Sequence, residues 1–275
     1  MDAIKQALLF LALSVVLGLT LVIVLPKEVD RDDESQLLVG CGDDITGCLL
    51  EQVLERYRAD GHTDVSSAAD EGKSDMDSFT FIDCCSNASQ WALYTSDIDM
   101  GFYCAHVSVT LVNMQEGFSI YGPIVMNGEV LGHWTEPEDM ATVAVPSKRA
   151  HLEELARKEY PWVEDFKVVD AKSIAYSFGD HQIDGAVLDI SRAFKMPDYK
   201  YTRVSDQDYV SFCLVVRDDV IGTPQFETFI RYYNETVEEL NSAGVMQELY
   251  GMDDQFWEDV RLKFLYLPEP QQGAA

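Results

Sequence analysis

Two of the six cysteines, Cys84 and Cys85, stand side by side in FIDCCSNASQWAL, residues 81–93. A vicinal pair directly after an apolar run and before a helix-like stretch has four readings: an accident of the core, a disulfide partner, a catalytic thiol or a trap for a ligand. A thiol at a helix N-terminus has its pKa lowered, because unpaired backbone N–H groups stabilise the thiolate. Cys85 precedes SNASQWAL and has that position, with Ser86 beside it as a further contact. Cys41 follows the strand-like SQLLVG, and Cys104 lies near the end of DMGFYC. Ligands of α/β sheets bind outside the carboxyl ends of strands, so Cys41, Cys84, Cys85 and Cys104 fall on one expected rim.

Thiolates prefer soft metals. Cys84, Cys85 and Cys104 are therefore the candidate metal set, and His106 is either a further ligand or a structural histidine. Asp43 and Asp44, after Cys41, argue against an anionic ligand in that loop. Asp189 and Ser191 follow the strand-like IDGAVLD and are the candidates in the second half of the chain. Cys48, early in a helix, and Cys213, in the apolar VSFCLVV, read as core. An oxidising compartment keeps a disulfide open, with Cys84 or Cys85 pairing to Cys41 or Cys104. No C-x-x-C, G-x-S-x-G, P-loop or H-E-x-x-H occurs, so neither an enzyme nor a cofactor is expected.

The elements that must position these residues alternate in type. SFTFID, IDMGFYCA, MATVAVPS, FKVVD and DYVSFCLVVR read as strands, and EGFSIYGPIVM and GEVLGHW as longer β segments joined by a turn. ITGCLLEQVLERYRADG, KRAHLEELARKEY and PQFETFIRYYNETVEEL carry apolar residues at helical spacing, and a last helix runs from about Asp253 to Leu265. This alternation argues for α/β. Two such units, with the chain crossing over and returning, predict two lobes hinged around a ligand. The expected divisions are 35–125 for the first part of lobe 1, 126–208 for lobe 2, 209–267 for the return to lobe 1, and a tail at 268–275.

Ahead of them, Ala7 to Leu25 is apolar and free of charge. As a helix it would be roughly 28 Å long, close to a bilayer core. Residues 1–26 are thus read as an uncleaved transmembrane signal anchor, 27–34 as an acidic linker, and the protein as a single-pass protein of the cell membrane with its large domain outside. LVGC, ending at Cys41, resembles a lipoprotein cleavage box but lies beyond the apolar segment and is read as a decoy. The formal net charge of -28 repels phosphate backbones and excludes nucleic acid as a partner.

The order of these pieces resembles the type II periplasmic-binding-protein fold, as in substrate-binding components of ABC importers. SQLLVGCGDDITGCLLEQVLERYRADG is similar to their first strand, ligand loop and helix. TVAVPSKRAHLEELARK and HQIDGAVLDIS resemble second-lobe segments, and YVSFCLVVRDDVIGTPQFETFIRYYNE the return. The resemblance implies permease and ATPase subunits as partners and a small ligand between the lobes. FIDCCSNASQWALYTSDIDMGFYCAH further resembles the substrate-binding (seleno)proteins of selenocysteine-assisted organometal transport systems, which implies a thiol-seeking cargo such as an organomercurial. Two alternatives stay open: a thiol-based oxidoreductase or organometal-cleaving enzyme on the same scaffold, and a small-metabolite binding protein with structural cysteines.

Overall fold

The computed structural model describes residues 36–61, 76–81 and 86–269. Cys84 and Cys85, the apolar segment 7–25, the linker 27–34 and the end of the tail lie outside the described residues. All described residues belong to one compact unit, Ser35–Ala275.

Lobe 1 is built on a sheet of order β2-β1-β3-β10-β4-β11. Its strands are β1 (Leu37–Gly42), β2 (Met76–Phe81), β3 (Met100–Cys104), β4 (Phe118–Met126), β10 (Val210–Arg217) and β11 (Lys263–Phe264). Lobe 2 is built on β7-β6-β8-β5-β9, with β5 (Glu129–His133), β6 (Thr142–Pro146), β7 (Asp165–Val169), β8 (Gly185–Asp189) and β9 (Lys200–Arg203). Both sheets repeat one plan. Three parallel strands are followed by one antiparallel strand, β10 or β5, which is the strand that has just arrived from the other lobe.

FSIYGPIVM and GEVLGHW are therefore not a hairpin. β4 pairs with β10 and β5 with β8, and the turn expected between them is the crossing from lobe 1 to lobe 2. Asn127 makes that crossing with φ +54°, a left-handed conformation that asparagine tolerates better than most residues. Its N–H donates to the Tyr209 carbonyl at 3.1 Å, and its side-chain oxygen accepts the Tyr209 N–H at 3.2 Å. The two crossings are thus bonded to each other.

The helices that matter here begin at strand ends. They are α1 (Ile45–Ala59), α2 (Asn87–Tyr94), α3 (Ala105–Met114), α4 (Ala150–Glu159), α5 (Ala171–Gly179) and α6 (Ile190–Lys195). Asp44 caps α1, its Oδ1 accepting the Thr46 N–H at 2.9 Å. Ile45, Leu49, Val53 and Tyr57 then bury one face of α1. Gly47 lets the first turn sit close to β1, since a Cβ there would lie 2.5 Å from the Gly42 carbonyl oxygen. After β10, α7 (Pro224–Leu240) returns along lobe 1, with Phe226, Phe229, Ile230, Tyr233, Val237 and Leu240 all buried. It packs on α1 through an edge-on Tyr57–Tyr232 pair, ring centres 5.3 Å apart. The last helix predicted from the sequence is shorter than expected. α8 (Val245–Tyr250) and α9 (Asp254–Val260) are separate, and Arg261, left-handed at φ +57°, ends α9 before β11.

Candidate inter-lobe ligand site

Four strand ends meet where the sheets face each other. In lobe 1, β1 delivers Asp43 and Asp44, and β3 delivers Cys104 and His106. In lobe 2, β6 leads through Arg149 to His151 on α4, and β8 ends at Asp189 before α6. β5 runs the other way, so its first residue, Glu129, lies directly opposite Asp189 in the ladder. The rings of His106 and His151 face each other across the lobes, centres 6.0 Å apart, with the Tyr209 ring 6.5 Å from that of His151.

Charges at this junction are arranged in two sets. Glu129 is buried, and both its oxygens accept: Oε1 from Arg149 Nη1 at 2.7 Å and Oε2 from the Ser211 hydroxyl at 2.6 Å. Burial pushes the Glu129 carboxyl above its ordinary value, against the pull of Arg149 and Ser211. Arg149 also lies over the Phe212 ring, 5.3 Å from its centre.

The second set centres on Asp189. Its Oδ1 accepts the Ser191 N–H at 2.9 Å and the Ile45 N–H at 3.0 Å, so one oxygen caps α6 and holds the first turn of α1. Its Oδ2 is enclosed and has no hydrogen-bond partner among the described residues, and neither has the Ser191 hydroxyl. That hydroxyl lies beside the carboxylate and lowers its pKa without hydrogen-bond geometry to it. Burial first, then the Asp44 charge, nevertheless pushes the Asp189 carboxyl up to about 7. His151 Nε2 is also buried without a partner, and burial holds its imidazole below the ordinary value. A cavity of about 540 Å³ runs along this edge of the junction, with Asp44, Cys48, Ser191, Lys195 and Tyr250 in its walls.

Of the cysteine rim expected from the sequence, only Cys41 and Cys104 lie within the described residues. Cys41 and Cys104 are both buried at strand ends. Burial pushes the Cys41 thiol up to about 12, with Asp44 adding to the effect, so Cys41 supplies no thiolate near neutrality. Cys41, Cys48 and Cys213 stand as thiols in the described structure. Among the described residues no group of three His, Cys, Asp or Glu is set to hold a metal ion. The metal set Cys84, Cys85 and Cys104 is left with only Cys104 inside the described structure.

Two further candidates have other work. Exposed Asp43 forms cross-lobe ion pairs with Arg192 at 2.9 Å and Lys195 at 3.4 Å. Burial is the largest single influence and raises its carboxyl, but the two cations together outweigh it and hold the pKa low. Ser86 caps α2, its Oγ accepting the Ser89 N–H at 3.1 Å. Among nearby aromatics, Trp91 is exposed on α2 and Tyr103 is fully buried. Trp134 stacks on His181, ring centres 3.4 Å apart. Glu129, Arg149 and His151 were not singled out from the sequence. The readable signal was PSKRAH, a polar stretch with two basic residues directly after the strand TVAVP.

No family model matches the chain, and no curated protein matches it in sequence. Solved structures do match in fold. The zinc-bound ligand-binding component of an ABC-type import system from Staphylococcus aureus has a TM-score of 0.60 at 12% identity, covering 85% of this chain and 86% of that one. The methionine-binding protein MetQ has a TM-score of 0.60 at 16% identity, covering 86% and 100%. Lipoprotein Tp32 from Treponema pallidum has 0.56 at 13%, covering 85% and 100%. The chain therefore has the two-sheet α/β fold of the substrate-binding proteins of ABC importers. The closer resemblance to the organometal-transport family rests on residues 81–106 alone.

The single-pass placement in the membrane is corrected. Among the described residues no helix is long and apolar enough to cross a membrane, and the Treponema neighbour is a lipoprotein. In this chain Cys41 lies within β1, 5% exposed, so LVGC does not offer a lipid acceptor.

Proposed function

We propose that the protein is the substrate-binding component of an ABC-type importer, working outside the cytoplasm, and that it holds a small polar ligand where its two lobes meet. One observation carries this reading. The carboxyl ends of strands from two sheets of similar plan converge on buried polar atoms, Asp189 Oδ2, Ser191 Oγ and His151 Nε2, that have no hydrogen-bond partner among the described residues. Such atoms are costly unless something satisfies them. Arg149 faces them from lobe 2, and Asp44, His106 and Cys104 from lobe 1. Asp43 serves closure through Arg192 and Lys195. Hinge closing would present the cargo to a permease driven by ATPase subunits, and the protein itself performs no chemistry.

The structural neighbours, an ABC-type import component with zinc bound and a methionine-binding protein, support a binding role over an oxidoreductase or an organometal-cleaving enzyme. A thiophilic metal or organomercurial cargo would depend on Cys84 and Cys85. The high Cys41 pKa speaks against that reading, and a small-metabolite ligand with structural cysteines fits better.

The test is a thermal-shift screen of amino acids, amines, zinc and methylmercury on the purified protein, followed by small-angle X-ray scattering. A ligand that raises Tm should also reduce the radius of gyration. A ligand that binds tightly without changing it would argue against closure between lobes.

A further inference from the structure

The charge of the ligand can be read from how the site has already spent its own charges. This step rests on the inter-lobe reading above. Of the cations that could receive a carboxylate or phosphate at the junction, Arg192 and Lys195 are paired with Asp43, which leaves Arg149. It is paired with a buried, doubly hydrogen-bonded Glu129, so its charge is compensated from within the protein. Asp189 is in the opposite condition. Its Oδ1 is fully used, while its Oδ2 is enclosed and empty-handed. Beside it the Ser191 hydroxyl, on a residue only 4% exposed, also lacks a partner. Asp44, buried next to them, adds negative charge and no donor.

We propose that the site selects a small organic cation, with a primary ammonium donating to Asp189 Oδ2 and Ser191 Oγ, and that it needs no carboxylate on the ligand. An ammonium carries three donors and no acceptor, which matches two acceptors left open by the fold. A carboxylate would instead meet Asp189 and Asp44, with Arg149 neutralised. Like charges brought together without water are strongly disfavoured.

The experiment is isothermal titration of the purified protein at pH 8 with cadaverine and agmatine as cations, methionine as zwitterion and N-acetylmethionine as anion. Wild type, Asp189→Asn and Ser191→Ala are compared, each checked for native circular dichroism. The cations should bind tightest. Asp189→Asn keeps an oxygen for Ile45 and Ser191 but turns the empty acceptor into a donor, and should weaken the cations about 10- to 100-fold, the scale of a lost charge-assisted hydrogen bond. Ser191→Ala keeps the backbone N–H and should weaken them about 3- to 10-fold. Methionine or N-acetylmethionine binding as tightly as the cations would overturn the charge assignment and leave the importer reading standing. Cation binding unchanged in both variants would overturn the assignment to Asp189 and Ser191. No binding by any probe, with no lobe closure in scattering, would overturn both readings together.

Discussion

Asp189 Oδ1 and the Ile45 amide are joined at 3.0 Å across 144 residues of sequence. The same oxygen caps α6 in lobe 2, so one carboxylate fastens the first turns of two helices from different lobes. A group so placed reports both on closure and on pH.

The pH prediction follows from the Asp189 carboxyl, raised from 3.8 to about 7 by burial and then by Asp44. The charges around it are Asp44 on lobe 1 and Glu129, Arg149 and His151 on lobe 2. A carboxyl raised in the folded state favours folding while protonated. Its contribution is fully present below about 3.8 and is lost as pH rises through about 7. The loss is up to about 4 kcal/mol, at 1.36 kcal/mol per pKa unit. Asp189→Asn should therefore raise the Tm of the ligand-free domain by several degrees at pH 8, by less than half as much at pH 5 and little near pH 3.5. Equal shifts at all three pH values in differential scanning calorimetry would refute this.

The Glu129–Arg149 pair, 2.7 Å apart with side chains 2% and 11% exposed, makes a second prediction. Removing one partner of a buried pair leaves an uncompensated charge and costs about 3 to 5 kcal/mol. Arg149→Met should show that loss in urea unfolding, and adding Glu129→Gln should recover much of it. A double variant as unstable as the sum of the singles would mean that the two residues do not act as a pair.

The alternation of strands and helices was legible because the apolar spacing of α1, α4 and α7 and the β-branched strands obey local rules. α3 was missed, since HVSVTLVNM is rich in β-branched residues and begins directly after β3 with no side-chain cap. The crossing at Asn127 reads in the sequence only as a turn between two β segments, because the partner of each flanking strand lies far along the chain. Asp189 was readable as a strand-end residue. Glu129 was not, as its importance comes from sitting opposite Asp189 and against Arg149, relationships made by sheet register rather than by spacing.

Thiol chemistry gives a third prediction. Burial pushes the Cys48 and Cys213 thiols up to about 11 and Cys41 to about 12. At pH 8 on the order of one in a thousand or fewer of these thiols is ionised at any moment. Iodoacetamide at that pH, followed by peptide mass spectrometry, should leave all three unmodified in the folded domain and label them after denaturation. Rapid labelling of native Cys41 would show that its strand end is open to solvent.

The fourth prediction concerns the C-terminal helices, which leave lobe 1 to clasp lobe 2. Phe194 of α6 stacks on Tyr250 of α8, with centres 4.4 Å apart and planes 14° apart, and its centre lies 5.7 Å from that of Trp257 on α9. Tyr201 of β9 meets Phe256 edge-on at 5.9 Å. Aromatic pairs of this kind add about 0.5 to 1.5 kcal/mol each beyond the area they bury. That energy opposes lobe opening together with the Asp43–Arg192 pair, which is exposed and correspondingly weak. Phe194→Ala with Tyr250→Ala should raise the radius of gyration of the ligand-free domain. Hydrogen exchange should quicken at 127–128 and 204–209, where the lobes are hinged, while the interior of lobe 1 around β3 keeps its protection. An unchanged radius with faster exchange only at 245–260 would make the helices a local cover rather than a clasp.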